Sequence, residues 1–190
     1  MFEGKLVRLR AMTREDLPRC VSWINDQELA RYMEFHRPVS LEQEQKWYEG
    51  LLSSGDDVFA IETLAAENGT AGFPRGEHIG SVGLHDVHPR YHHAMLGIFI
   101  GNKGYWGRGY GSEAVRLMLQ YAFEQLNLHR VYLRVFAYNK RAIRAYEKCG
   151  FEHEGVLREA GYKNGQYFDV LAMGILESEY REGRRRSAEA

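Results

Sequence analysis

Only two cysteines occur in 190 residues, and this excludes a disulfide-stapled scaffold: Cys20 and Cys149 stand far apart inside helix-like patterns, in neither a CxxC pair nor a metal-ligand spacing. They suit a reducing cytoplasm. Charge of one sign is not in excess either, because 25 Lys plus Arg oppose 26 Asp plus Glu. A balance so even concentrates neither nucleic acid nor an anionic membrane surface. No apolar run approaches the ~20 residues that cross a bilayer, and Met1-Phe2-Glu3-Gly4-Lys5 opens a strand-like pattern without the apolar stretch of a secretion signal. The expectation is a soluble, cytoplasmic protein with neither membrane nor nucleic acid as partner. Internal repeats are also missing, so one domain over residues 1–180 is expected, followed by a polar, disordered tail over 181–190.

What the chain does carry is a regular succession of strand and helix signals. Residues 5–10 alternate Leu6 and Leu9 with basic neighbours, the period of a strand, and Thr13-Arg14-Glu15-Asp16 then gives a cap-like start to a helix holding Leu17, Val21 and Ile24. A short helix is expected over 28–33. Pro38 breaks the chain, and Ser40-Leu41-Glu42-Gln43 has capping-box form before a helix with Trp47, Leu51 and Leu52. Strand-like segments 58–63 and 79–84 flank a connection containing Asn68-Gly69, Gly72, Pro74 and Gly76, too long for a tight hairpin and expected to be mobile. Residues 95–100 form a strand, 103–111 are glycine-rich, and 112–126 form an apolar helix. A strand over 129–136, a helix over 140–148 closed by Gly150, and a strand over 151–159 follow. Asn164-Gly165 supplies a type I′ turn that returns the chain through 167–176. Two β-α units and a terminal hairpin predict an α/β (α+β) fold, a mixed central sheet of about seven strands with helices on both faces.

Chemistry concentrates in Trp106-Gly107-Arg108-Gly109-Tyr110-Gly111-Ser112, set between a strand and a helix. Successive backbone N–H groups at a helix start, together with the helix dipole, form a site for phosphate oxygens, and glycines let the anion approach closely. A Walker loop would end in Gly-Lys-Ser/Thr, which is missing here. A dinucleotide fingerprint would read GxGxxG and have an acid closing the next strand. This chain reads GxGxG, and Val131-Tyr132-Leu133-Arg134-Val135-Phe136 has no acid. Glycines serving only helix-strand packing are the plain alternative.

A second segment, Asn139-Lys140-Arg141-Ala142-Ile143-Arg144-Ala145-Tyr146-Glu147-Lys148-Cys149-Gly150-Phe151, sits on the next helix. Asn139 and Tyr146 are two helical turns apart and share a face, and a tyrosine phenol can give its proton to a departing thiolate. Core packing is the competing role for Tyr146. Taken together with 104–114 and Leu126-Asn127-Leu128-His129-Arg130, this segment closely resembles the GNAT superfamily of N-acetyltransferases. The nearest branch is similar to the ribosomal-protein N-terminal acetyltransferases and the spermidine acetyltransferases, over nearly the whole domain. The resemblance implies a sheet splayed at its fourth and fifth strands to admit the pantetheine arm of acetyl-CoA. It implies pantetheine contacts along Ile98, Phe99 and Ile100 and at Asn139, and diphosphate contacts at Trp106, Gly107, Arg108, Gly109, Tyr110, Gly111 and Ser112. It further implies Tyr146 as general acid, with Arg141 and Lys148 reaching cofactor phosphates. Many members begin the glycine loop with Gln or Arg where this chain has Trp106.

The implied reaction is direct attack of a neutral amine on the acetyl thioester, through an oxyanion held by a main-chain N–H of the splayed strand. Many relatives place a Glu base on that strand; the matching residue here is Met95, which accepts no proton. Glu34, His85, Asp86 and His88 lie in segments that the implied fold brings near the acceptor cleft, each also readable as a solvated loop residue. His85, His88, His92 and His93 cluster in sequence, yet no thiolate joins them and most lie in a loop, so no metal is expected. A protein or peptide N-terminal α-amine suits the nearest branch. Glu34-Phe35-His36-Arg37-Pro38 mixes one acid with basic groups where a polycation would want several acids, which disfavours a polyamine; a polyamine or amino sugar is the alternative acceptor. A non-catalytic acyl-CoA sensor is the rival from another class, and homo-oligomeric assembly stays open.

Overall fold

A computed structural model describes residues 2–51, 53–64 and 76–188. The expected mobile connection around Asn68-Gly69, Gly72 and Pro74 lies outside the described residues. In chain order the strands are β1 (Phe2–Glu3), β2 (Val7–Ala11), β3 (Asp57–Thr63), β4 (His78–His88), β5 (His93–Ile100), β6 (Arg130–Phe136), β7 (Glu152–Lys163) and β8 (Gln166–Leu176). They form one eight-stranded sheet in the order β1-β2-β3-β4-β5-β6-β8-β7. The strand beyond the expected seven is β1, a two-residue ladder on β2.

Every neighbouring pair is antiparallel except β5 and β6. Their parallel pairing covers only His93↔Arg130, Ala94↔Val131 and Met95↔Tyr132, after which the two strands part. Each keeps its other partner: β5 stays on β4 to Ile100, and β6 stays on β8 to Phe136. The split is therefore a built gap between two intact half-sheets. It falls where the resemblance implied it, and β1 merely moves the strand numbers by one.

The helices are α1 (Leu17–Ile24), α2 (Gln27–Ala30), α3 (Leu41–Leu51), α4 (Tyr110–Gln120), α5 (Lys140–Glu147) and α6 (Glu177–Ala188). Ala114, Val115, Met118 and Leu119 of α4 recur at helical spacing and are buried in one cluster with Val7, Leu9, Val82, Leu84 and Leu96. The opposite face of the sheet holds a second cluster of Met12, Leu17, Cys20 and Ala60, on which Trp23, Tyr48 and Val58 pack. The start before α1 behaves as the sequence predicts, since Thr13 donates its N–H (2.9 Å) and hydroxyl (3.2 Å) to Asp16 Oδ2. The box before α3 also forms: Ser40 N donates to Gln43 Oε1 and Gln43 N to Ser40 Oγ. Asn164 and Gly165 both take positive φ, 51° and 80°, as a type I′ turn requires.

Residues expected to be disordered from 181 continue α6 as far as Ala188. Tyr180 anchors the helix by packing its ring on Phe123 and donating its hydroxyl to Glu124. Glu177 and Glu179 occupy the first turn and Arg185 and Arg186 the last, with an Arg181–Glu177 ion pair one turn apart. No helix among the described residues is long and apolar enough to cross a membrane.

Candidate active site

Where β5 and β6 part, a cleft of about 840 Å³ opens between the half-sheets, bounded by the start of α4 and one face of α5. Ile98, Phe99 and Ile100 line it from β5, and Arg134, Val135 and Phe136 line it from β6. Of the residues singled out in the sequence, Trp106, Gly107, Gly109, Gly111, Ser112, Asn139, Arg141, Tyr146 and Lys148 also line it. The side chains of Arg108 and Tyr110 do not. Gly107 and Gly109 both take left-handed φ, 71° and 92°, and the reversals turn Arg108 outward to an exposed position. Tyr110 instead packs edge-on against the buried Tyr105, 4.8 Å between ring centres.

The glycine loop has the form its sequence implied, with Gly109 capping α4 and residues 110–112 entering the first turn. The opening N–H groups of a helix have no partner within it, so this end of the cleft suits an anion. A Cβ at Gly107 would meet nothing within 4 Å; the glycine is required there by its backbone angle, not by crowding. Arg116 and Arg144 line the same end, and sequence reading missed both. The signal was present: Arg116 lies one turn past Ser112, and Arg141, Arg144 and Lys148 follow each other at helical spacing along α5. A basic rim around a backbone-lined cradle fits the phosphates of coenzyme A.

Asn139 is buried and caps α5, its Oδ1 accepting Ala142 N–H at 3.2 Å. Capping occupies one lone pair of that oxygen and fixes the amide, and its Nδ2 donors remain for a ligand. Two turns on, Tyr146 is 9% exposed and lines the same cleft, its ring edge-on to Phe151. Burial first, and nearby Cys149 second, push the Tyr146 phenol well above the usual tyrosine range. It holds its proton at any working pH, as a proton donor must.

Arg141 sits where sequence alone did not place it. Its guanidinium lies 3.6 Å from the ring centre of Trp106 and 5.2 Å from that of Tyr32. Burial lowers its pKa. Trp106 is itself fixed, donating its indole N–H to Ile100 O at 2.7 Å. The stack joins the glycine loop, the start of α5 and the segment after α2, whose Tyr32, Met33 and Glu34 roof the cleft. Tyr138 and Lys163 hold that roof from the other flank, through Arg31 O and through Ala30 O and Phe35 O.

Glu34 is the one carboxylate lining the cleft among the described residues, and it is exposed. Met95 lines the cleft beside Leu96 and Gly97. Directly across the β4–β5 ladder from Met95 stands His85, whose Nδ1 lies 3.0 Å from Asp56 Oδ2. His88 is used locally instead: its Nδ1 accepts the N–H groups of Arg90 and Tyr91, and its ring stacks on Tyr91 at 4.4 Å.

Comparison with known proteins agrees with this geometry. A family profile described as "Acetyltransferase (GNAT) domain" matches residues 7–152. The spermidine N(1)-acetyltransferase of Vibrio cholerae is 32% identical over 174 residues, 90% of this chain and 94% of the relative. A crystal structure of spermidine N-acetyltransferase from V. cholerae in complex with CoA and spermine aligns with a TM-score of 0.83 at 29% identity, over 94% of this chain and 99% of that one. A dodecameric structure of the V. cholerae spermidine N-acetyltransferase aligns with a TM-score of 0.76 at 29% identity, over 93% of this chain and 97% of the other.

Proposed function

The chain belongs to the GNAT acetyltransferase family and is an acetyl-CoA-dependent N-acetyltransferase, and from that premise we propose that its acceptor is a small primary amine of the polyamine class. Relatives that match nearly end to end include spermidine acetyltransferases, which favours this acceptor over the protein N-terminal amine expected from sequence. The cleft supports it in two ways. A roof pinned by Lys163 and Tyr138 suits a slender amine better than a folded protein's terminus, and exposed Glu34 at the cleft offers a counter-charge to a second cationic nitrogen. One carboxylate rather than several, among the described residues of the cleft, suits an acceptor of low charge, such as a diamine or triamine.

The observation that carries the catalytic reading is the buried Tyr146 phenol in a cleft whose other end is the glycine cradle. The backbone of 107–112, with Arg116, Arg144 and Lys148, holds the phosphates of acetyl-CoA. Ile98, Phe99 and Ile100 and the Asn139 amide hold the pantetheine arm. Tyr146 gives its proton to the departing sulfur. Homo-oligomeric assembly and a cytoplasmic location belong to the same reading, supported by the dodecameric relative and the two free cysteines.

Thiol release from acetyl-CoA, measured over putrescine, spermidine, spermine, free-N-terminal peptides and amino sugars, tests it. Turnover should be highest with a diamine or triamine, and Tyr146→Phe should lower kcat by about 10²-fold or more while acetyl-CoA still binds. Preference for peptides would overturn the acceptor assignment, and a Tyr146→Phe enzyme of full activity would overturn the acid.

A further inference from the structure

The cleft has no carboxylate at Met95, yet the amine must lose a proton before it can attack. A primary alkylamine, with a pKa near that of lysine, is free base in only roughly one molecule in a thousand at neutral pH. A general base is worth about 10²–10⁴-fold. We propose that His85, oriented by Asp56, is the base that deprotonates the acceptor amine.

Four observations converge on this residue. His85 and Met95 are directly opposed across the antiparallel β4–β5 ladder, so their side chains stand on the same face of the sheet. The next pair on that face is Gly83↔Gly97, and the absence of two side chains leaves a niche into which the imidazole reaches. A Cβ built on Gly97, itself in the cleft wall, would lie 3.2 Å from His85 Nε2. Nε2 thus stands directly behind Gly97 and across the ladder from Met95, one residue's depth from the cleft, whose lining does not itself include His85. Asp56 Oδ2 accepts from Nδ1 at 3.0 Å, which puts the imidazole proton on Nδ1 and leaves the Nε2 lone pair to accept.

The backbone is shaped to hold this pair. The ladder is irregular between His85 and His88, and Asp86 takes φ 51°, a strained angle for a residue with a side chain. That bend aims Asp86 N–H at the second oxygen of Asp56, 3.2 Å away, so one carboxylate is held by both groups. The His85 side chain is 31% exposed, which gives a captured proton a way out to water. Glu34 is the other candidate, but it stands on the roof rather than on the sheet beside Met95.

His85 Nε2 takes one proton from the ammonium and releases it to solvent. The amine lone pair then forms the N–C bond as the C–S pair leaves with sulfur. Sulfur takes the Tyr146 proton, and the second proton shed by the new amide nitrogen restores the phenol through water. The overall yield is amide, free thiol and one proton. His85 is a catalytic residue in this scheme and Asp56 a positioning residue.

This rests on the acetyl-transfer reading, and the test separates the two. Thiol release is measured from pH 6 to 9 with the amine that the parent uses best, for the parent and for His85→Gln, Asp56→Asn and Glu34→Gln. Acetyl-CoA affinity is measured by calorimetry. The charged group facing His85 is Asp56, just before β3; Asp57 turns to the other face of the sheet, where its carboxylate accepts from the Tyr121 hydroxyl, Asp86 follows on the same strand, and β5 presents Met95 and Gly97. His85→Gln should lose about 10²-fold in kcat at pH 7, with unchanged acetyl-CoA affinity, and the deficit should shrink as pH rises and the amine deprotonates in solution. Asp56→Asn should show a smaller deficit with the same pH trend, whereas Glu34→Gln should raise KM for the amine and spare kcat. A His85→Gln enzyme within twofold of the parent at every pH overturns the base. If His85→Gln fails to bind acetyl-CoA, Asp56→Asn decides by the same criterion. A parent that releases no thiol with any amine removes the acetyl-transfer reading itself, and this inference with it.

Discussion

Gly109 and Gly111 look alike in the sequence but do different work. Gly109 holds φ at 92°, where an L side chain costs about 1–2 kcal/mol, whereas a Cβ at Gly111 would make ordinary contact with Ile100 at 3.5 Å. Gly109→Ala should therefore lower unfolding stability by about that amount in urea titrations, and Gly111→Ala should leave the midpoint nearly unmoved. Arg141 is a second case in which residue type matters more than charge. Flanked by Trp106 and Tyr32, its flat guanidinium stacks as an ammonium cannot. Arg141→Lys should raise KM for acetyl-CoA and for the amine together, by roughly 10-fold, because the stack ties the cofactor loop to the acceptor roof. A change confined to acetyl-CoA would mean that Arg141 serves only as a phosphate contact.

At the scale of elements, β2, β3 and the start of α1 meet at a buried ionic knot. Arg10 donates to both Asp16 oxygens at 2.7 and 2.8 Å and to Glu62 at 2.6 Å, and both carboxylates are buried. Burial alone would raise the Asp16 pKa, but hydrogen bonds from Arg10 and Thr13 and the charges of His78 and Arg10 bring it down to about 2. A carboxyl depressed on folding stabilises the native state above its unfolded pKa near 3.8, and this support is lost as pH falls from about 4 towards about 2. The loss is on the order of 2 kcal/mol. Plots of urea midpoint against pH should show this acid limb in the parent, and Asp16→Asn should be less stable at pH 7 with a flatter limb below pH 4. A second element tie is Glu113 of α4, whose carboxylate accepts the N–H groups of Lys5, Leu6 and Val7 at 3.0, 2.6 and 2.8 Å. It fastens the cradle helix to the edge of the sheet.

On the scale of the whole molecule, the sheet ends in β7, a 12-residue edge strand exposed over nearly all its length. Val156 and Leu157 are adjacent, so they point to opposite faces, and they are 54% and 41% exposed. Long edges with exposed apolar residues on both faces are normally covered. Light scattering after size exclusion should give a mass above the 22.0 kDa of one chain. Val156→Lys with Leu157→Glu should reduce that mass if this edge supports assembly, and leave it unchanged if assembly uses another face.

Much of this protein was legible in one dimension, because local chemistry acts over a few residues. Periodicity, the Thr13 and Ser40 starts, Gly150 and Asn164-Gly165 marked nearly every element, and the glycine loop and Tyr146, singled out in the sequence, line one cleft. The helix α6 was not legible because it is held by distant partners, Phe123 and Glu124, which no local composition reveals. The same limit hid the stack of Arg141 between Trp106 and Tyr32, and the apposition of His85 with Met95. Residues ten apart on two strands become neighbours only through the register of a ladder, and Asp56 joins them from a third segment. Sequence alone determined which backbone shapes and reactive groups were available; which groups face one another across the cleft was decided by the pairing of strands and the parting of β5 from β6.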